Sequence, residues 1–127
     1  MRTFTDFSVL IVSDDPGATR VLAAVFAAMD VTGITVVSSD EVPEYDHFDL
    51  AVLATGGEVE AALRAADRIR ARPQSPAPHI ALLTTAATPE MARAVEWGRI
   101  DDIMLKPVTI AGLTIQIERA IERRSVS

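Results

Sequence analysis

A chain of 127 residues with net charge −6, eighteen acidic against twelve basic side chains, is poorly suited to a nucleic-acid backbone, which calls for a basic stripe. The absence of Cys removes disulfides, thiolate catalysis and thiolate-held zinc, and two histidines, His47 and His79, are too few for a His-rich metal site. The 49% of hydrophobic residues comes in runs far short of the roughly 18 residues of a membrane span, and the N-terminus lacks the apolar core of an export signal, so one cytoplasmic domain over residues 1–127 with no membrane partner is expected.

Residues 8–13 form a near-continuous apolar run, the mark of a strand buried on both faces. It ends in Ser13, Asp14, Asp15 and Pro16. Two readings of Asp14 and Asp15 are open: capping carboxylates for the helix that Pro16 begins, or an acidic pocket able to hold a hard divalent cation. The helix runs to about Met29, with Val21, Leu22, Val25, Phe26 and Met29 on one stripe. Residues 33–38 give a β-branched strand. Between 39 and 47 stand Asp40, Glu41, Pro43, Glu44 and Asp46 with little apolar content, so a loop or one helical turn is expected, with a solvated acidic surface.

Residues 49–54 are a second run without alternation, the central strand of a parallel sheet. Chemistry in such sheets gathers at the carboxyl ends of the strands. This strand ends on Ala54, whose methyl group neither binds metal nor accepts a phosphoryl group. Gly56-Gly57 follows without the further glycines or the Gly-Lys-Ser/Thr pattern of a nucleotide loop. An amphipathic helix over residues 58–72 places Val59, Ala62, Leu63, Ala66 and Ile69 inward. The Pro-rich turn at 73–78 leads into a strand over 79–83, closed by Thr84. Thr88 and Pro89 then cap a helix to Gly98, with Met91, Ala94, Val95 and Gly98 on its buried stripe. Trp97 falls off that stripe; its ring is expected either to pack over a neighbouring strand or to anchor an interface. A strand over 100–105 ends at Lys106-Pro107, Lys106 being the chain's single lysine. The last helix, about 110–124, aligns Ile110, Leu113, Ile117 and Ile121. This alternation implies a parallel α/β sheet with right-handed crossovers.

The acidic turn after the first strand, the strand 49–54, Leu83-Thr84 and the run from Asp101 to Lys106-Pro107 together resemble the receiver domain of bacterial two-component response regulators, over nearly the whole chain. The resemblance implies a flavodoxin-like, three-layer α/β fold: a five-stranded parallel sheet with helices on both faces, the second helix here shortened. It also implies a pocket made of Ser13, Asp14, Asp15, Ala54, Thr84, Ile103 and Lys106, with a cis Lys106-Pro107 bond. The pocket departs from the family pattern where the chemistry lies. Ala54 replaces the phosphoacceptor aspartate, so carboxylate nucleophilic catalysis is lost. Ser13 replaces the first acid of the strand-1 pair, so Mg²⁺ is expected to bind weakly or not at all and no cofactor is expected. Ile103 replaces the switching aromatic. Lys106 is expected to pair with Asp14.

The reading that follows is a degenerate receiver, non-enzymatic, signalling by contact with a histidine kinase, an effector or a second copy of itself. The expected surface is the fourth helix, fifth strand and fifth helix of the receiver plan, where Arg93, Trp97, Arg99, Asp101, Asp102, Arg119 and Arg123 would gather in mixed charge. The alternatives are a receiver phosphorylated at Asp14, Asp15 or Asp49, and a ligand-responsive one whose arginines grip an anionic small molecule such as a cyclic dinucleotide. A flavodoxin-like cofactor binder lacks a phosphate loop.

Overall fold

The computed structural model describes residues 4–54 and 58–126. Five strands, β1 (Phe4–Ser13), β2 (Val31–Val37), β3 (Leu50–Ala54), β4 (His79–Thr84) and β5 (Asp102–Leu105), make one parallel sheet in the order β2-β1-β3-β4-β5. Four helices connect or follow them: α1 (Pro16–Ala28), α2 (Val59–Arg70), α3 (Pro89–Glu96) and α4 (Ile110–Val126). This is the expected flavodoxin-like, receiver-type architecture.

Strand side chains alternate between two cores because successive residues point to opposite faces. Val9, Ile11, Leu50, Val52, Ala81, Leu83 and Met104 lie under α1 and α4, against Leu22, Phe26, Leu113 and Ile117. Leu10, Val12, Ala51, Leu53, Ile80 and Leu82 lie under α2 and α3, against Leu63, Ala66, Ile69, Met91 and Ala94. With both faces covered, β3 and β4 are buried throughout, which is why their sequences show no polar alternation.

Local signals explain the helix ends. Asp15 caps α1, its Oδ1 accepting the Gly17 N–H at 2.9 Å, and Thr88 caps α3, its Oγ1 accepting the Met91 N–H at 3.3 Å. Three residues assigned to buried stripes are exposed: Val21, Val95 and Ile110. Each flanks its stripe, where a helix has already turned toward solvent. Gly98, also assigned inward, follows α3 at a φ of 77°, a left-handed turn that suits glycine.

Residues 38–48 carry no helix at all, and the family's second helix is absent rather than short. Phe48 is buried in its place, with Val42 packed against the same core. Gln74 fixes that stretch by accepting the Phe48 N–H at 3.0 Å and donating to its carbonyl at 2.6 Å, while the Arg72 guanidinium lies 5.2 Å from the Phe48 ring centre. Two X–Pro bonds are cis, the expected Lys106-Pro107 and, in the turn Gln74 braces, Ser75-Pro76.

Candidate functional site

The carboxyl ends of the central strands meet as the parallel register requires. Ser13 pairs with Ala54 and Ala54 with Leu83, while Thr84 pairs with Leu105. A cleft of about 270 Å³ opens beside them, lined by Ser13, Asp14, Ser39, Ala54, Glu58 and the small side chains of α2's first turn.

Ser13, Asp14 and Thr84 each spend their side-chain oxygens on nearby groups. Ser13 Oγ donates to the Asp15 carbonyl at 3.0 Å and accepts the Asp15 N–H at 3.1 Å. Of the two readings of the acidic pair, capping holds for Asp15. Asp14 turns toward the end of β2, its Oδ1 accepting the Ser39 N–H at 3.1 Å and its Oδ2 the Ser39 hydroxyl at 2.8 Å. Buried Thr84 donates to the Ala86 carbonyl at 3.3 Å.

Lys106 does not pair with Asp14, as the sequence had suggested, and makes no ion pair with any described residue. The cause is distance across the sheet. β1 and β5 stand three strand spacings apart, about 14 Å at backbone level, and Ser39 meets Asp14 from the other side. Only the Lys106 backbone is anchored, its N–H donating to the Thr84 carbonyl at 2.8 Å. Ile103, expected in the switch position, packs with the α2–α3 core.

This donor set does not fit a hard cation. Ala54 brings a methyl group, Ser13 a hydroxyl already bonded, and Asp14 a carboxylate with both oxygens bonded to Ser39, whereas Mg²⁺ needs carboxylates free to enter a tight octahedral shell. The described residues include no group of three or more His, Asp or Glu placed to hold a metal. Thr55, Gly56 and Gly57 lie outside the described residues.

The opposite ends of the strands are far richer in charge. Asp49 is buried, accepting the Ser8 N–H at 2.9 Å and the Ser8 hydroxyl at 3.2 Å, with His47 Nε2 at 3.1 Å and Arg124 Nε at 3.4 Å. Asp101 accepts from the Ile80 N–H at 2.8 Å, Arg70 at 2.7 Å and Arg123 at 2.9 Å. Asp102 holds Arg119 and, at 2.8 Å, the Gln116 amide. Because Asp102 can only accept, Gln116 must turn its oxygen to His79, so His79 carries its proton on Nε2 and donates at 2.7 Å. Burial holds the His79 pKa below its ordinary value, against the Gln116 bond and the Asp101 and Asp102 charges, which raise it. The sequence singled out Asp101, Asp102, Arg119 and Arg123 as an interface and did not mark Arg70, His79 and Gln116, which meet these aspartates only in the fold.

Of the seven residues expected to gather in mixed charge, four meet in ion pairs, Asp101 with Arg123 and Asp102 with Arg119. Asp101, Asp102, Arg119 and Arg123 belong to the network just described, which ties α2 and α4 to β5. Arg99 turns to α2, where a two-pronged bond to Asp67 (2.8 and 3.1 Å) raises its pKa, with Glu60 and Glu90 adding to the shift. Trp97 is the C-cap residue that closes α3. Its ring covers no strand: the residue is 69% exposed. Arg93 is exposed on α3.

No family model matches this sequence, and no curated protein matches it. Solved structures do. A two-component response regulator from Legionella pneumophila aligns over 91% of this chain and 98% of its own at 16% identity, with a TM-score of 0.75. A chemotaxis protein from Vibrio cholerae aligns over 90% and 98% at 17% identity, TM-score 0.76. The receiver domain of a Pseudomonas aeruginosa sensor histidine kinase, described with magnesium coordinated in its active-site cleft, aligns over 91% and 98% at 21% identity, TM-score 0.71. The chain therefore has the receiver fold of these two-component signalling proteins. At such identities the likeness is one of fold, and the residues at the strand ends must carry the rest.

Proposed function

We propose that this chain is a degenerate receiver, a module of two-component signalling that acts by protein contact without accepting a phosphoryl group. The observation that carries the reading is Ala54, a buried methyl group at the carboxyl end of β3 beside Ser13, where a receiver presents its acceptor and metal-binding carboxylates. Thr84 follows Leu83, the register partner of Ala54, and Lys106 follows Leu105, the partner of Thr84, but Ala54 brings no acceptor carboxylate. Asp49 is a poor substitute, because it precedes β3 at the opposite end of the sheet and its oxygens already serve Ser8, His47 and Arg124.

Such a module signals through the partner it holds, a histidine kinase or an effector. Exposed Trp97 is the anchor this reading assigns to that contact, since a large exposed aromatic supplies much of the binding energy at an interface. Treatment with a small phosphodonor and Mg²⁺, followed by intact-mass measurement, is expected to leave the mass unchanged; a stoichiometric phosphoryl adduct would overturn the proposal. Trp97→Ala is expected to leave the unfolding midpoint within about 0.5 kcal/mol of wild type while weakening partner capture at least tenfold. Unimpaired capture by a folded variant would move the contact elsewhere.

A further inference from the structure

The outer surfaces of the helices differ in charge. α2 exposes Glu60, Arg64, Asp67 and Arg68, and α4 exposes Glu118, Arg119 and Glu122, whereas α1 exposes Gly17, Val21, Ala24, Ala27 and Ala28 with a single charge, Arg20. Beside α1 runs β2, an edge strand of seven residues without a charge or a proline. Natural edges are normally blunted by such residues, because an open edge offers unpaired N–H and C=O groups to any strand that meets it. On the side away from α1, no helix follows β2 in sequence to cover it, and Gly33 and Thr35 are exposed there; on the α1 side Val36 is 47% exposed.

We propose that β2 and α1 form the face through which two copies of this chain pair, the two β2 strands running antiparallel about a two-fold axis at Ile34 to make one continuous ten-stranded sheet. Three features favour a second copy over an unrelated strand. First, a chain of net charge −6 repels its own kind, and neither α1 nor β2 carries a carboxylate of its own. Second, the pairing is self-complementary: Ile34 meets Ile34, Thr35 meets Gly33, and Val36 meets Thr32, with β-branched pairs on the α1 side.

The third is charge. With Ile34 on the axis, Ser38 of one copy lies opposite Asp30 of the other. Arg20 lines the hollow at the top of α1 together with Asp14 and Ser38, while Asp30, at a φ of 62°, stands at the foot of α1. Both are exposed, and neither makes an ion pair among the described residues. The two-fold thus sets Arg20 of each copy toward Asp30 of its partner, twice. The strip is about 23 Å long, small for a permanent interface, so a reversible dimer follows. The proposal is independent of whether the strand-end pocket is silent.

Sedimentation equilibrium over a wide concentration range tests it. The wild type is expected to show monomer and dimer in exchange. Arg20→Glu and Val36→Glu are expected to weaken association at least about tenfold, two exposed ion pairs being lost at once in the first, and Arg20→Glu combined with Asp30→Lys is expected to recover it. Residues opposed across an antiparallel pair have Cα atoms about 5 Å apart, within disulfide reach; Ile34→Cys, in a chain with no other thiol, is expected to give a covalent dimer on mild oxidation, faster than Trp97→Cys. Should either glutamate variant fail to fold by circular dichroism, Thr35→Lys replaces it. A chain monomeric at every soluble concentration, or a dimer equally strong in all these variants, overturns the proposal.

Discussion

The two ends of the sheet have exchanged the roles expected of them. At the carboxyl ends, where parallel sheets gather their chemistry, stand a methyl group, two hydroxyls, a lysine with no ion pair among the described residues and a carboxylate spent on Ser39. At the amino ends stand Asp49, Asp101, Asp102, His79, Arg70, Arg119 and Arg123, cross-bonded between β1, β4, β5, α2 and α4. The difference teaches that charge in this fold marks where elements are fastened. A count of acids along the sequence would have placed the chemistry where Asp14 and Asp15 fall, yet the carboxylates with the most partners lie at the other end.

If the amino end is the fastening, breaking it has the largest effect. Asp101→Ala leaves Arg70 and Arg123 without their partner and the Ile80 N–H without its acceptor, and is expected to cost about 3 kcal/mol or more in urea unfolding, since removing one member of a largely buried pair strands the others. A loss under about 1 kcal/mol would mean that solvent replaces Asp101 freely and that the fastening is nominal.

The carboxyl end can be sharpened by restoring what it lacks. Ala54→Asp puts a carboxylate on a position only 7% exposed and is expected to cost about 1–3 kcal/mol. Ser13→Asp added to it creates repulsion that a divalent cation relieves, so the double variant, unlike wild type, is expected to gain stability with Mg²⁺ and to show heat of binding in calorimetry. If wild type shows the same response, the donor set has been misjudged.

The fold was legible in the sequence because its signals are local. Unbroken apolar runs marked strands covered on both faces, and Asp15-Pro16 and Thr88-Pro89 marked helix starts that the structure confirms. Ala54 could be placed because the apolar run ends on it before Gly56-Gly57 and the receiver resemblance puts the acceptor position there. Less was legible where contacts are long-range. Gln74 bracing Phe48 across the missing helix, and Asp101 gathering arginines from α2 and α4, join residues 20 or more positions apart, and no periodicity encodes them. Lys106 with Asp14 was an expectation of charge alone, and the width of three strands defeats it. Trp97 was rightly placed off its stripe, and at the end of α3 it stands 69% exposed.

A smaller effect than either substitution separates the ends by pH. His79 is held neutral by burial, and its environment is charged on each side: Asp101 and Asp102 from β5's amino end, and Arg123 from α4. Its folded pKa lies below the ordinary 6.5, so between the two values the unfolded chain binds more protons. Stability is then fully present above about pH 6.5 and falls as the pH drops below it. His79→Gln is expected to flatten that slope in urea midpoints measured from neutral pH downward; a slope unchanged by the substitution would assign it to carboxylates.

The smallest expected effect is at Asp14, and it is the most discriminating for the carboxyl end. Asp14→Ala removes two bonds to Ser39, but Asp14 is exposed and Ser39 only half-buried, so water can take the carboxylate's place and the expected cost is about 0.5–1 kcal/mol. A carboxylate kept for a cation would behave differently: with its neighbours repelling it, removing it would stabilise the chain without metal and abolish any response to Mg²⁺. A small loss that is the same with and without Mg²⁺ is the signature of a residue that pins the loop after β2 to the end of β1, which is the role the geometry gives it.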